Sequence, residues 1–124
     1  MKTNKTFIFL LLLSFGCSTE KARTTFAGQS IQFSSEALRF YNSSKPTELN
    51  TGGMFVYYKS AEKSSLFLTG SKAVMDQMYI VYGAVHDYRF AYARKSEHSK
   101  ECREVLSQEI EKLANKIDNF SRKK

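Results

Sequence analysis

Val74, Met78, Val81, Val85, Tyr88 and Tyr92 recur at alternating spacings of four and three, and no other feature constrains the fold as strongly. Such spacing puts all six on one face of a helix and turns that face towards a partner. Tyr79, Ile80, Tyr82 and Ala84 widen the apolar surface beyond a narrow stripe. The pattern predicts a helix over 71–94 that sits centrally in a small bundle. Gly83 interrupts it at a cost of about 1 kcal/mol relative to alanine, and would let a neighbouring helix approach closely.

A second seam, Cys102, Leu106, Ile110, Leu113, Ile117 and Phe120, predicts a helix over 99–121. Its acids come early (Glu101, Glu104) and its bases late (Arg122, Lys123, Lys124), in agreement with the helix dipole. The segment between, Arg94 to Lys100, is polar and holds neither glycine nor proline. If it stays helical, the two seams form one rod of about 75 Å. That rod would carry Lys95 and Ser99 in its seam, and both are poor core residues. A turn, giving an antiparallel hairpin, is the preferred arrangement.

Upstream, Ile31, Leu38 and Tyr41 share one face of a short helix over 30–42, stopped by Asn42-Ser-Ser-Lys-Pro46. Residues 49–70 admit two patterns. Met54, Tyr57, Tyr58, Ala61, Ser65 and Leu68 fall on one helical stripe, whereas Met54 to Tyr58 and Leu66 to Thr69 also suit a β-hairpin over 54–69. Helix is preferred, because the flanking segments are helical. The fold class is therefore mainly α, a small helical bundle or helical hairpin.

The amino-terminal segment has a different character. Lys2 and Lys5 precede an apolar run from Phe7 to Leu13, followed by small and polar residues ending in Gly16-Cys17. This is the layout of an export signal, and the run falls well short of the roughly 20 residues that cross a bilayer. Gly16-Cys17 closing such a signal resembles the lipobox of bacterial lipoproteins. The match covers residues 1–17 only; Ser14 stands where that family usually has leucine, and Phe15 where a small residue is common. The resemblance implies cleavage before Cys17, lipid on its sulfur and an acylated amino terminus. Several acyl chains together give essentially permanent membrane attachment. Ser18, rather than aspartate, follows Cys17. In the enterobacterial sorting logic that the segment resembles, this favours the outer membrane where the source has one. The domain plan is a signal over 1–16, a lipid-anchored flexible tether over 17–29 and one helical domain over 30–124.

Loss of the signal leaves 108 of the 124 residues, enough for one small domain, with 17 basic residues against 12 acidic. That surplus favours approach to an anionic membrane or acidic glycans. The lysines are scattered and the chain is addressed outside the cytoplasm, so no nucleic-acid partner is expected. With Cys17 committed to lipid, Cys102 is left as a buried thiol or an intermolecular disulfide. With Cys17 unmodified in a secreted chain, a Cys17–Cys102 bridge becomes the alternative.

His98 and Cys102, four apart and next to Glu101, could form one edge of a metal site, but no further ligand converges and no metal is expected. His86, Asp87 and Asp76 are acid–base groups without a nucleophile motif, and no Gly-rich phosphate loop or His-Glu-x-x-His is present. The chain is accordingly read as non-catalytic, with no cofactor. Tyr88 and Tyr92 are assigned to the core. Tyr79, Tyr82 and Arg89 are the candidates for contact with a partner, being residue types enriched at binding hot spots. These features together describe a lipid-anchored cell-envelope protein acting through another protein. Its general format resembles accessory or exclusion lipoproteins of phages and plasmids. The rival reading is a structural protein that self-associates through helices 71–94 and 99–121.

Overall fold

The structure is a computed structural model that describes the backbone of residues 2–122 and the side chains of residues 19–122. Expectations resting on the side chains of the signal and of Cys17 lie outside the described residues. Among the described residues there are four helices and no strand: α1 (Lys2–Asn42), α2 (Gly52–Ser65), α3 (Lys72–Ala93) and α4 (Ser99–Arg122). A 3-10 helix at Pro46–Glu48 lies between α1 and α2. The segment 54–69 is thus helix α2 followed by a loop, without the β-hairpin. α1 packs along α2 and α4, and α3 packs along α4 and α2. Sequential helices reverse direction, which makes the whole a small antiparallel bundle.

The two seams read from the sequence are buried as expected. Val74, Met78, Val81, Val85 and Tyr88 of α3 meet Leu106, Ile110, Leu113, Ile117 and Phe120 of α4 in one core. Tyr92 departs from the expectation. Its ring meets Tyr88 edge-on at 6.1 Å, while its hydroxyl reaches outward to donate to the Ser44 carbonyl at 2.7 Å. α2 contributes Met54 and Ala61, with Tyr57, Tyr58 and Leu68 packed at the margin.

α1 corrects two expectations. Residues 19–29, expected as part of a flexible tether, are helical, and Phe26 is fully buried. The inward stripe is Phe26, Ser30, Phe33, Ala37 and Phe40, while Ile31 and Leu38 point outward at 50% and 44% exposure. Aromatic bulk decides the register, because the three phenylalanines bury more apolar area than Ile31 and Leu38 could. Ser30 enters this stripe because its hydroxyl donates to the Phe26 carbonyl at 2.8 Å, one turn back.

Each reversal has a local cause. Pro46 opens the 3-10 turn with a fixed φ and no amide to satisfy. The Asn50 side-chain oxygen accepts from the Gly52 amide at 2.6 Å and starts α2; a Cβ at Gly52 would lie 2.9 Å from that oxygen. Gly70, at φ +79°, turns the chain into α3. α3 ends on Lys95 at φ 52°, with Ser96 donating to the Ala91 carbonyl at 2.9 Å and Lys95 to that of Tyr92 at 3.0 Å. This is the Schellman pattern with lysine where glycine is usual. The segment 94–98 is therefore the hairpin turn and not part of a rod.

Two arginines close the helix ends. Arg103 of α4 donates to the Tyr41 carbonyl at 3.0 Å and stacks 4.0 Å over the Tyr41 ring. Arg23 of α1 donates to the Phe120 carbonyl at 2.6 Å and stacks 4.4 Å over the Phe120 ring. Both acceptors are carbonyls near the end of their helices, where intrahelical partners run out. Phe26 meets Phe120 edge-on at 4.9 Å. Phe26→Ala should therefore cost about 3–5 kcal/mol and lower the thermal midpoint by roughly 10 °C or more. A midpoint unmoved by that change would mean that the beginning of α1 lies outside the cooperative unit.

Candidate functional site

The outward faces of α2 and α3 carry aromatic rings that the core does not use. Burial of Met54 and Ala61 turns Phe55 and Val56 outward, and burial of Met78 and Val81 does the same for Tyr79 and Ile80. Phe55, Tyr58, Tyr79 and Tyr82 line a cleft of about 130 Å³ between the two helices. Tyr79 is 71% exposed and Phe55 51%, whereas Tyr58 and Tyr82 are half-buried and pack against the core. Burial holds the Tyr58 hydroxyl above its ordinary value of 10.0, with the Glu62 carboxylate adding to the shift, so it stays a neutral donor. The rim is charged and paired: Lys59 to Glu62 at 2.9 Å and Lys72 to Asp76 at 2.8 Å. An apolar centre with a polar rim is the anatomy of a protein-recognition patch.

The cleft brings together two of the three predicted contact residues, Tyr79 and Tyr82. It does not include Arg89. That guanidinium donates to the carbonyls of Pro46 at 3.2 Å and Leu49 at 3.0 Å, and lies 5.6 Å from the centre of the Phe40 ring. Arg89 thus holds the α1–α2 connection against α3. Sequence reasoning missed Phe55, whose signal was its place one residue off the Met54 stripe.

The acid–base groups do not assemble. His86 meets the Tyr82 ring at 4.6 Å, and with Asp87 it borders a shallow hollow that also includes Thr47 and Phe90. Asp76 lies about 15 Å back along the same helix, paired with Lys72. His98 is exposed, its Nδ1 3.5 Å from a Glu101 carboxylate oxygen. Cys102 is half-buried and packs against the core. Among the described residues no three metal-ligating side chains cluster.

Cys102 lies about 27 Å from Phe120 along α4, at the opposite end of the bundle from Arg23 and Thr19. Two residues of chain between Thr19 and Cys17 span at most about 7 Å. A disulfide needs its Cα atoms within about 7 Å of each other. A Cys17–Cys102 bridge inside one molecule is therefore out of reach in this fold.

A polar network joins α3 to α4. The Gln77 amide nitrogen donates to the Glu109 carbonyl at 3.0 Å and to its carboxylate at 2.6 Å, while Lys112 donates to the same carboxylate at 2.9 Å. Lys116 donates to the Gln77 side-chain oxygen at 3.1 Å. Among the described residues no buried side-chain nitrogen or oxygen lacks a partner, so the network is satisfied and structural.

Compared with protein families, with curated proteins and with solved structures, the chain matches none of them. Among the described residues no helix is long and apolar enough to cross a membrane.

The hydrogen bond from Gln77, reinforced by Lys112, holds the Glu109 carboxyl below its ordinary 4.5. A depressed folded value stabilises the fold above pH 4.5, and that stability is lost as pH falls through the folded value. Urea midpoints should therefore drop more steeply with acid in the parent chain than in Glu109→Gln. Parallel profiles would mean that the carboxylate contributes nothing.

Proposed function

We propose that this chain is a non-catalytic, lipid-anchored protein of the cell envelope that acts by binding another protein. The observation that carries the binding half is the exposed aromatic cleft of Phe55, Tyr58, Tyr79 and Tyr82. Tyrosine and phenylalanine supply large contact area at low entropic cost, and the outer pair stand in water where a partner can reach them. The anchoring half rests on the export signal and Cys17. The self-association alternative would have to use the outward faces of α3 and α4, because their seams are covered by each other and by α1.

Two experiments test the two halves. Cys17→Ser should release the protein from the membrane fraction of the source cells, and unchanged retention would contradict the anchor. A photo-crosslinking residue at Tyr79 should give a discrete adduct that Phe55→Ala abolishes. The same residue at Glu97, on the α3–α4 turn, should give none. Phe55→Ala itself should leave stability within about 0.5 kcal/mol, as expected for an exposed side chain. Equal adducts from both positions, or none from either, would contradict the cleft as the binding surface.

A further inference from the structure

Leu66 and Phe67 are the most exposed large apolar residues of α2 and its following loop, at 78% and 68%. They form the tip of the α2–α3 connection. Phe67 and Leu68 donate back to the carbonyls of Ser64 and Ser65, which makes the tip a tight turn, and Leu68 packs against the core beneath it. The fold therefore fixes these two side chains in water and gives them nothing to cover.

Their position in the bundle is informative. Thr69 and Gly70 of the same loop share a hollow with Arg23 of α1 and with Lys116, Asn119 and Phe120 of α4. The loop thus stands at the end of the bundle where Arg23 of α1 meets Phe120 near the end of α4. Cys17 is two residues from Thr19, so a lipidated Cys17 would lie within about 7 Å of Thr19, which is about one helical turn beyond Arg23. The flexible spacer expected over 17–29 is absent from 19 onward, because those residues are helix. An acyl group at Cys17 would accordingly bring the loop tip to the lipid surface, not hold the domain at a distance.

The charges at this end suit an anionic surface. Lys21 and Lys63 are exposed there and carry no carboxylate within ion-pair distance among the described residues. Lys72 and Arg122 are also exposed, paired with Asp76 and Asp118 across one helical turn. Arg122 is followed in the sequence by Lys123 and Lys124. The acids here are Glu20, Glu62, Asp76 and Asp118, and the last three are each paired with a base. Basic groups within a Debye length of an anionic leaflet are drawn to it, and apolar side chains between them enter the headgroup boundary.

We infer that the loop tip Leu66-Phe67, at the same end of the bundle as Lys21, Lys63 and Lys72, inserts into the anionic lipid surface and fixes the bundle's orientation on it. This rests on the reading that Cys17 carries lipid. It adds that the domain is docked, with the aromatic cleft of α2 and α3 facing sideways along the membrane.

The chain contains no tryptophan, so Phe67→Trp is a single reporter in the full lipidated chain. The probe is a vesicle of equal phosphatidylcholine and phosphatidylglycerol, with or without brominated acyl chains. Phe67→Trp emission should shift to the blue and be strongly quenched by the brominated lipid, whereas Glu97→Trp at the far end should show neither effect. Adding Lys63→Glu should lower the docked-to-undocked ratio at least about fivefold in low salt. High salt should act in the same direction, and pure phosphatidylcholine should quench less. Flotation with the vesicles reads the anchor separately. A chain that floats with Phe67→Trp unquenched, or quenched no more than Glu97→Trp, overturns the docking and leaves the anchor standing. A chain that does not float overturns both.

Discussion

The contact of Arg23 and Phe26 with Phe120 determines what kind of object this chain is. It joins the 23–26 turn of α1 to the end of α4, about a hundred residues away in sequence. Edge-on ring packing, a stacked guanidinium and a donated hydrogen bond converge there on one phenylalanine. Without them α1 would begin its packing a turn or two later, at Ser30 or Phe33, and the start of the chain would trail in water. With them, whatever holds residue 17 also holds the end of the bundle. At the other end Arg103 and Arg89 do the corresponding task, binding the carbonyls of Tyr41 and of the connection that follows it. The side chains of these arginines are therefore part of the fold, despite the chain's basic surplus.

Both surfaces singled out above are consequences of that packing. A helix that buries Met54 and Ala61 must turn Phe55 and Val56 outward, and one that buries Val74, Met78 and Val81 must do the same with Tyr79 and Ile80. The cleft between them runs along the side of the bundle. Leu66 and Phe67 instead cap one end, where α2 has finished and α3 has not begun. Because the two apolar features lie on different aspects of the molecule, they can serve different neighbours at once. A domain held end-on at a lipid surface would leave its lateral cleft open to a protein in the same plane.

The parts of the fold legible in the sequence were those in which apolar residues keep a strict helical spacing. α3 and α4 satisfy that condition, so their buried faces were readable residue by residue, with Tyr92 as the exception because its hydroxyl found the Ser44 carbonyl. α1 was legible as a helix over 30–42, but its buried face and its reach before residue 30 were hidden, because the seam includes Ser30 and Ala37, which carry little apolar signal, and because Phe26 sits among polar neighbours. The competing face of Ile31 and Leu38 had the stronger local pattern and the weaker packing. The turn after α3 was legible from the poor core residues Lys95 and Ser99, but its form was not, since Lys95 adopts the left-handed conformation without glycine to announce it. Of the candidate site, Tyr79 and Tyr82 were legible as off-seam aromatics. The place of Arg89 was not legible, because composition cannot show that backbone carbonyls from a distant connection occupy its donors.

Whether the helix beginning before Phe26 belongs to the folded body is the point on which the bundle, its orientation and its distance from any anchor all turn. Native-state hydrogen exchange at the amides of residues 22–30 measures it most directly. The account predicts that these amides are protected to nearly the same degree as those of Leu106 to Phe120 and open with them in one global event. Exchange at unstructured-chain rates over residues 22–30, with α4 still protected, would contradict it and restore a loose tether in place of a strut.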